Sequence, residues 1–221
     1  MINRTINFAF AMFFGLAVVA PAQVTVTVDR VRNFNATPAF KFPHVPSPVK
    51  DNAAAKANLQ LIVGKPDANS APSNNLIGGV LPVGQDEPAK NFFFADGSDG
   101  GRILLDFGRI ISISQVNTYS WHSNYRGPQV YNLFVSDGTA LDFNAAPDAH
   151  TDPAACGWKL IATVDTRADD DYYGGQYGVS IAGAAGDLGK FRYVLIDTVP
   201  TEIDDTHGNT FFSQINVIEA K

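Results

Sequence analysis

From residue 102 to residue 218 the chain alternates apolar and polar positions in short runs. Ile103, Leu105 and Phe107 interleave with Leu104 and Asp106 and stop at Gly108; Tyr131, Leu133 and Val135 interleave with Asn132 and Phe134 and stop at Ser136, Asp137 and Gly138, a turn signal. Trp158, Leu160, Ala162 and Val164 share one face by period two, as do Phe191, Tyr193 and Leu195, and Phe211, Ile215 and Val217. The stretch 111–121 is also β-like, with a slip in apolar phase near Gln115 that predicts a bulge. Many short strands without helical periodicity predict an all-β, antiparallel sandwich or barrel.

The segment 23–79 has another texture. Val24, Val26 and Val28 alternate with Thr25 and Thr27, and 59–63 is a second strand-like run. Between them Pro38, Pro43, Pro46 and Pro48 forbid a regular ladder, Asp51 and Asn52 can cap a short helical turn, and 65–75 is loop. The division expected is therefore 1–22 as a leader, 23–75 as an irregular N-terminal extension wrapping the sandwich and adding edge strands, and 76–221 as the sandwich domain.

If successive strands run antiparallel, alternate loops fall at one end. Loops 95–101, 121–128, 165–176 and 200–210 then gather together, carrying Asp96, Asp99, Trp121, His122, Tyr125, Arg126, Asp169, Asp170, Asp171, Tyr172, Tyr173, His207 and Asn209. The other end receives 108–110, 137–157 and 182–189, which hold mostly Ala, Gly and Asp. A rich end and a poor end predict a binding tip.

The consecutive stretches 103–108 (Ile-Leu-Leu-Asp-Phe-Gly), 116–121 (Val-Asn-Thr-Tyr-Ser-Trp), 130–138 (Val-Tyr-Asn-Leu-Phe-Val-Ser-Asp-Gly), 157–160 (Gly-Trp-Lys-Leu), 189–193 (Gly-Lys-Phe-Arg-Tyr) and 212–217 (Phe-Ser-Gln-Ile-Asn-Val) resemble the successive signatures of the discoidin, or coagulation-factor type C, domain. The likeness covers 76–218 and implies a galactose-binding-like jelly roll. Such domains bind sugars, phospholipid headgroups or proteins through loops at one end, and the fold does not fix which. For a sugar, an aromatic ring covers the C–H face while polar groups re-pair the hydroxyls. The ligand-binding candidates are Trp121 or Tyr125 as platform, with His122, Arg126, Tyr172, His207 and Asn209 around them. Each has a plainer reading: Trp121 as a plug for the sandwich end, Arg126 as a pin for its own loop, the histidines as ordinary loop residues, and Tyr172 beside an acidic turn.

The resemblance also raises calcium, which related sugar modules hold between an Asp-Gly loop and a Glu of the last strand. Here Asn75 and Gln214 stand at those places, and the Asp96 to Gly100 turn lacks calcium-loop spacing, so no cofactor or metal is expected. No catalytic motif is present, and Asp169 with Asp170 are adjacent acids and not a pair spanning a cleft, so the protein is read as a non-enzyme.

Composition narrows the partners. The net charge is -6, with 45% apolar and 17% charged residues, enough for a full core. Arg4, the apolar run 6–20 and Ala20-Pro21-Ala22 read as a secretory signal peptide, predicting a chain that begins at Gln23 and is secreted, periplasmic or in the cell envelope. An acidic export product is a poor partner for nucleic acid, and no other stretch is long enough to insert in a membrane. The lone Cys156 forms no internal disulfide and reads as a buried small apolar group. The function expected is glycan binding at the loop end on an extracellular or cell-surface partner. The alternative is a structural or adhesive envelope protein that contacts another protein through the same tip or an edge strand. A membrane-surface role suits neither the acidic balance nor loops without Leu or Phe.

Overall fold

The computed structural model describes residues 24–167, 173–184, 186–202 and 208–220. The expected leader, 1–22, and Gln23 lie outside them. The strands are β1 (Val24–Val31), β2 (Asn58–Val63), β3 (Gly101–His122), β4 (Val130–Ser136), β5 (Lys159–Asp165), β6 (Gly175–Gly183), β7 (Gly189–Thr198) and β8 (Phe212–Glu219), and the only helical elements among the described residues are short 3-10 turns in the connecting loops. Every pairing is antiparallel. The fold is an all-β jelly-roll sandwich.

β3 belongs to both layers. Its first part, Gly101 to Asp106, pairs with β2 and β7, whereas Gln115 to His122 pairs with β6 and β8. One layer is therefore β2-β3-β7-β4-β5 and the other β1-β6-β3-β8. A reversal was expected at 108–110; instead β3 runs on as one bent strand. The ladder to β7 is irregular between Asp106 and Ile111, and Gly108 takes φ 69°, a corner that a side chain resists. The Asp106 carboxylate accepts from Arg192 of β7 at 2.8 and 2.9 Å and from the Gly108 N–H at 2.8 Å, fixing the bend.

The period-two pattern fills the space between layers: Val116, Val179, Ile181, Ile215 and Val217 meet Ile103, Leu105, Leu133, Val135, Val194 and Ile196. The slip expected near Gln115 is present, between Ile113 and Gln115 against β8. Another slip was not expected. Leu133 faces Ala162 but Phe134 faces Leu160, so Ile161 is extra. Ala162 and Val164 consequently face the interior, Trp158 packs outside with Leu195, and Leu160 is exposed, instead of sharing one face. Likewise Phe191 packs against the interior while Tyr193 joins Leu195 outside.

Each outer face is covered by an irregular segment. Phe40, Phe42 and Val45 cover Tyr119 and Trp121 on one layer. Buried Asp29 of β1 holds that cover, accepting from the backbone N–H of His44 at 2.7 Å and of Val45 at 2.6 Å, with His44 Nδ1 at 3.0 Å. On the other layer Phe143 and Cys156 cover Phe134, Leu195 and Trp158. Gly157, at φ 83°, ends the 3-10 turn Pro153–Cys156 and turns the chain into Trp158.

The loop 137–157 does not stay at the far end, where it was expected. Its middle folds back along the sheet, where the buried guanidinium of Arg102 donates to the carbonyls of Pro147, Asp148 and Thr151 at 3.3, 2.5 and 2.9 Å. The same side chain pairs with Asp197 at 2.9 and 3.2 Å.

Candidate functional site

Four loops expected at one end do meet there. Asn209 Nδ2 donates to the Ala95 carbonyl at 3.4 Å, the Phe211 N–H donates to the Arg126 carbonyl at 2.9 Å, and Thr210 Oγ1 donates to the Pro128 carbonyl at 2.8 Å. The rings of Tyr125 and Tyr173 lie 4.8 Å apart. These ties arise because β3, β4, β6 and β8 all begin or end at this edge.

Phe211 organises the cluster from beneath. Its ring stacks on Phe93 with centroids 3.9 Å apart, meets the His122 ring edge-on at 4.5 Å and carries the Arg126 guanidinium at 5.3 Å. Among the described residues that guanidinium has no hydrogen-bond or salt-bridge partner. Its planar fork of five N–H donors is, among the described residues, stacked on Phe211 and borders a hollow on each of two sides. The pin for its own loop is the Arg126 backbone, not its side chain.

His122 is mostly buried. Its Nδ1 accepts from the Asn124 N–H at 3.1 Å, which leaves Nε2 as the protonated nitrogen, 3.8 Å from Asp86. Burial pushes its pKa down, the Asp86 carboxylate pulls it partly back, and Arg126 lowers it again. At neutral pH His122 is therefore a neutral Nε2–H donor.

Two hollows flank Arg126. One, about 170 Å³, is lined by His122, Asn124, Tyr125, Arg126 and Glu202. The other, about 360 Å³, is lined by Asp67, Asn69, Asp86, Pro88, Phe93, Asp96, Arg126 and Phe211. Together they offer an aromatic face, fixed donors and carboxylate acceptors, the set a polyhydroxylated ring requires. A separate cavity of about 310 Å³ opens at the opposite end over Phe107 and Ile111, but its rim charges are already paired as Lys56–Asp51 and Arg109–Glu219.

The candidates read from the sequence divide. Tyr125, 41% exposed, His122 and Arg126 come together at the first hollow. Trp121 is corrected: it is 3% exposed, sits edge-on to Phe40 at 5.8 Å and donates Nε1–H to Asn33 at 3.0 Å. Its side chain points to the outer face of its sheet, under 33–49, and presents no platform. Asn209 is corrected as well, being buried with its amide spent on Ala95. Tyr172, His207 and the acidic turn 169–171 lie outside the described residues.

Neither a family model nor a curated protein matches the chain. Solved structures similar to it include the Clostridium perfringens module CpGH89CBM32-5 in complex with GalNAc-β-1,3-galactose, at 13% identity over 76% of this chain and 99% of that chain, TM-score 0.46. They also include the family 32 carbohydrate-binding module of C. perfringens NanJ in complex with galactose, at 10% identity over 75% and 95% of the two chains, TM-score 0.45. A third is chitosan-binding module 1 of a chitosanase/glucanase from Paenibacillus sp. IK-5, at 15% identity over 75% and 97%, TM-score 0.45. The chain resembles the discoidin-like, galactose-binding jelly rolls in fold. The likeness is one of fold, and no ligand is carried over from it.

Several residues of this jelly-roll tip were not singled out from the sequence. Phe211 read as a core strand position, and Glu202, Asn124, Asp86 and Asp67 carry no spacing signal, because loops far apart in sequence bring them together. The places raised for calcium are occupied by other work: Asn75 accepts from Val80 N–H and donates to the Lys90 carbonyl, and Gln214 donates to the Val49 carbonyl. Among the described residues no three His, Cys, Asp or Glu side chains converge as a metal site. Cys156 lies under the 137–157 cover, away from this end, and burial pushes its thiol pKa up, the reverse of a reactive cysteine.

Proposed function

We propose that the protein is a secreted, non-catalytic module that binds a carbohydrate at the end formed by His122, Tyr125, Arg126 and Glu202. The observation that carries this reading is the Arg126 guanidinium, stacked on Phe211 and without a hydrogen-bond partner among the described residues, beside the exposed Tyr125 ring. A sugar ring stacked on Tyr125 brings its hydroxyls to Arg126, the His122 Nε2–H and the Glu202 carboxylate, so the C–H face and the polar edge are both satisfied. The first hollow is smaller than the roughly 300–1,000 Å³ of pockets that engulf drug-sized ligands, which suits one ring held on a surface. Affinity for one sugar is accordingly weak, and useful binding comes from repeated sites on a surface. The reading requires no cation.

The test is a glycan array probed with the multimerised chain beside folded Tyr125→Ala and Arg126→Ala variants. Binding to a coherent sugar class that both variants lose supports the proposal. Absence of binding by the folded wild type moves the weight to a protein partner at the same tip, where loss on mutation follows an extended patch.

A further inference from the structure

The edge of a sheet presents alternate backbone N–H and C=O groups to any strand that comes alongside, and proteins blunt such edges with covers, bulges or charges. Three of the four edges in the two layers are blunted. β8 is capped by Phe92, which exchanges backbone hydrogen bonds with Phe212 at 2.8 and 2.9 Å, and by the Ala53 N–H on the Val217 carbonyl at 2.8 Å. β2 and β5 each carry a register shift, between Leu61 and Val63 and at Ile161. β1 has none of these devices. Its eight residues pair with β6 without a shift, from Val24 opposite Gly183 to Val31 opposite Gln176. Among the described residues, positions 24–28 make no backbone–backbone hydrogen bond outside that ladder, and Val26 and Val28 stay 40% and 44% exposed.

The order Val24-Thr25-Val26-Thr27-Val28 reads the same in both directions. Laid antiparallel on a second copy about a two-fold axis at Val26, it sets Val24 against Val28 and Thr25 against Thr27, so valine meets valine on one face and threonine meets threonine on the other. No charge lies within those five positions, which matters in a chain of net charge -6 whose copies repel elsewhere. We propose that two copies of the chain join edge to edge through β1, in the register centred on Val26, to make one continuous sheet across the pair. This goes beyond the carbohydrate reading and does not depend on it. β1 runs toward the loop end, since Val31 stands opposite Gln176 and Gln176 opposite Trp121. Antiparallel pairing therefore points the two loop ends away from each other, and with glycan-binding tips the pair would bridge two surfaces instead of gripping one twice.

Sedimentation velocity of the chain from Gln23 on, between about 1 and 200 μM, tests the proposal. One short strand edge is a small interface, so a dimer with a dissociation constant on the order of 10 μM is expected. Val26→Lys sets two ammonium groups face to face on the axis and is expected to weaken the dimer at least about tenfold. The melting temperature should stay within about 2 °C, because position 26 is already exposed. Mild oxidation of two cysteine variants reads the register without that lysine. Val26→Cys is expected to cross-link copy to copy, since facing residues lie about 4.5–5.5 Å apart and a disulfide spans about 4.4–6.8 Å between Cα atoms. Thr25→Cys is expected not to, because it faces Thr27 of the second copy. A chain that stays monomeric throughout, a dimer indifferent to Val26→Lys, or cross-linking at position 25 as fast as at position 26 overturns the proposal. Glycan binding by a strictly monomeric chain overturns the dimer and leaves the carbohydrate reading intact; a β1 dimer that binds no glycan does the reverse.

Discussion

A ring that receives a ligand must be held in place without one, and Tyr125 packs against the Tyr173 ring at 4.8 Å while 41% of it stays in solvent. Tyr125→Ala is expected to lower glycan affinity about tenfold or more while the melting temperature changes by no more than about 2 °C, because little apolar area is lost from the core. Trp121→Ala is expected to do the reverse: a cavity under Phe40 and a lost bond to Asn33 cost roughly 3–5 kcal/mol, or about 10 °C in melting temperature for a chain of this size. Calorimetry and a binding assay on both variants separate the two roles. His122 adds a pH signature. Its folded pKa is depressed, so the unfolded chain takes up a proton that the folded one refuses, and stability falls as pH drops below about 6.5. His122→Gln is expected to flatten the fall of denaturant midpoints below about pH 6.5; an unchanged slope contradicts the assignment. At this scale the sequence identified the rich loops but not the direction of each side chain. Trp121 follows Ser120 by one position, and period two sends the two to opposite faces, so only knowledge of what covers the outer face distinguishes a plug from a platform.

Elements carry the next level of the account, and the anchors of the two covers test it. For Asp29 burial alone would raise the pKa, but the His44 side chain and the Val45 and His44 N–H groups outweigh it, so the folded value is lowered. Its stabilising contribution is present above about pH 4 and lost as pH falls through the lower folded value. Asp29→Ala leaves the buried Val45 N–H and the part-buried His44 N–H without their acceptor, a loss of roughly 1–3 kcal/mol, and hydrogen exchange is expected to accelerate over 40–49 while β7 stays protected. Arg102→Ala is expected to accelerate exchange over 147–151, since three carbonyls lose one donor group and Asp197 loses its partner. Strand positions were legible because period two survives burial. The slip at Gln115 was visible because it breaks the apolar phase, whereas the extra residue at Ile161 was hidden within an unbroken apolar alternation. The bend at Gly108 was mistaken for a reversal, since a glycine after a strand marks a corner and a turn alike.

At the scale of the molecule, the packed interior and the covers over both outer faces set the loop end apart as the place where the loops between strands meet. The gathering of loops 95–101, 121–128 and 200–210 was expected from a strand count that included a reversal at 108–110, and in the fold the corner of the bent β3 at Gly108 stands in that place. The contents of the gathered site were not expected, because Phe211, Glu202 and Asp86 become neighbours only after folding. The opposite end closes on its own ion pairs and competes as a site only through the cavity over Phe107. The most direct discrimination is amide chemical-shift mapping of the whole chain titrated with neutral mono- and disaccharides. Shifts confined to His122, Asn124, Tyr125, Arg126, Glu202 and Phe211, with smaller ones at Asp67 and Asp86, are the predicted result. Shifts centred on Lys56, Arg109 and Glu219, or no shifts at millimolar sugar, would contradict a carbohydrate site at the loop end.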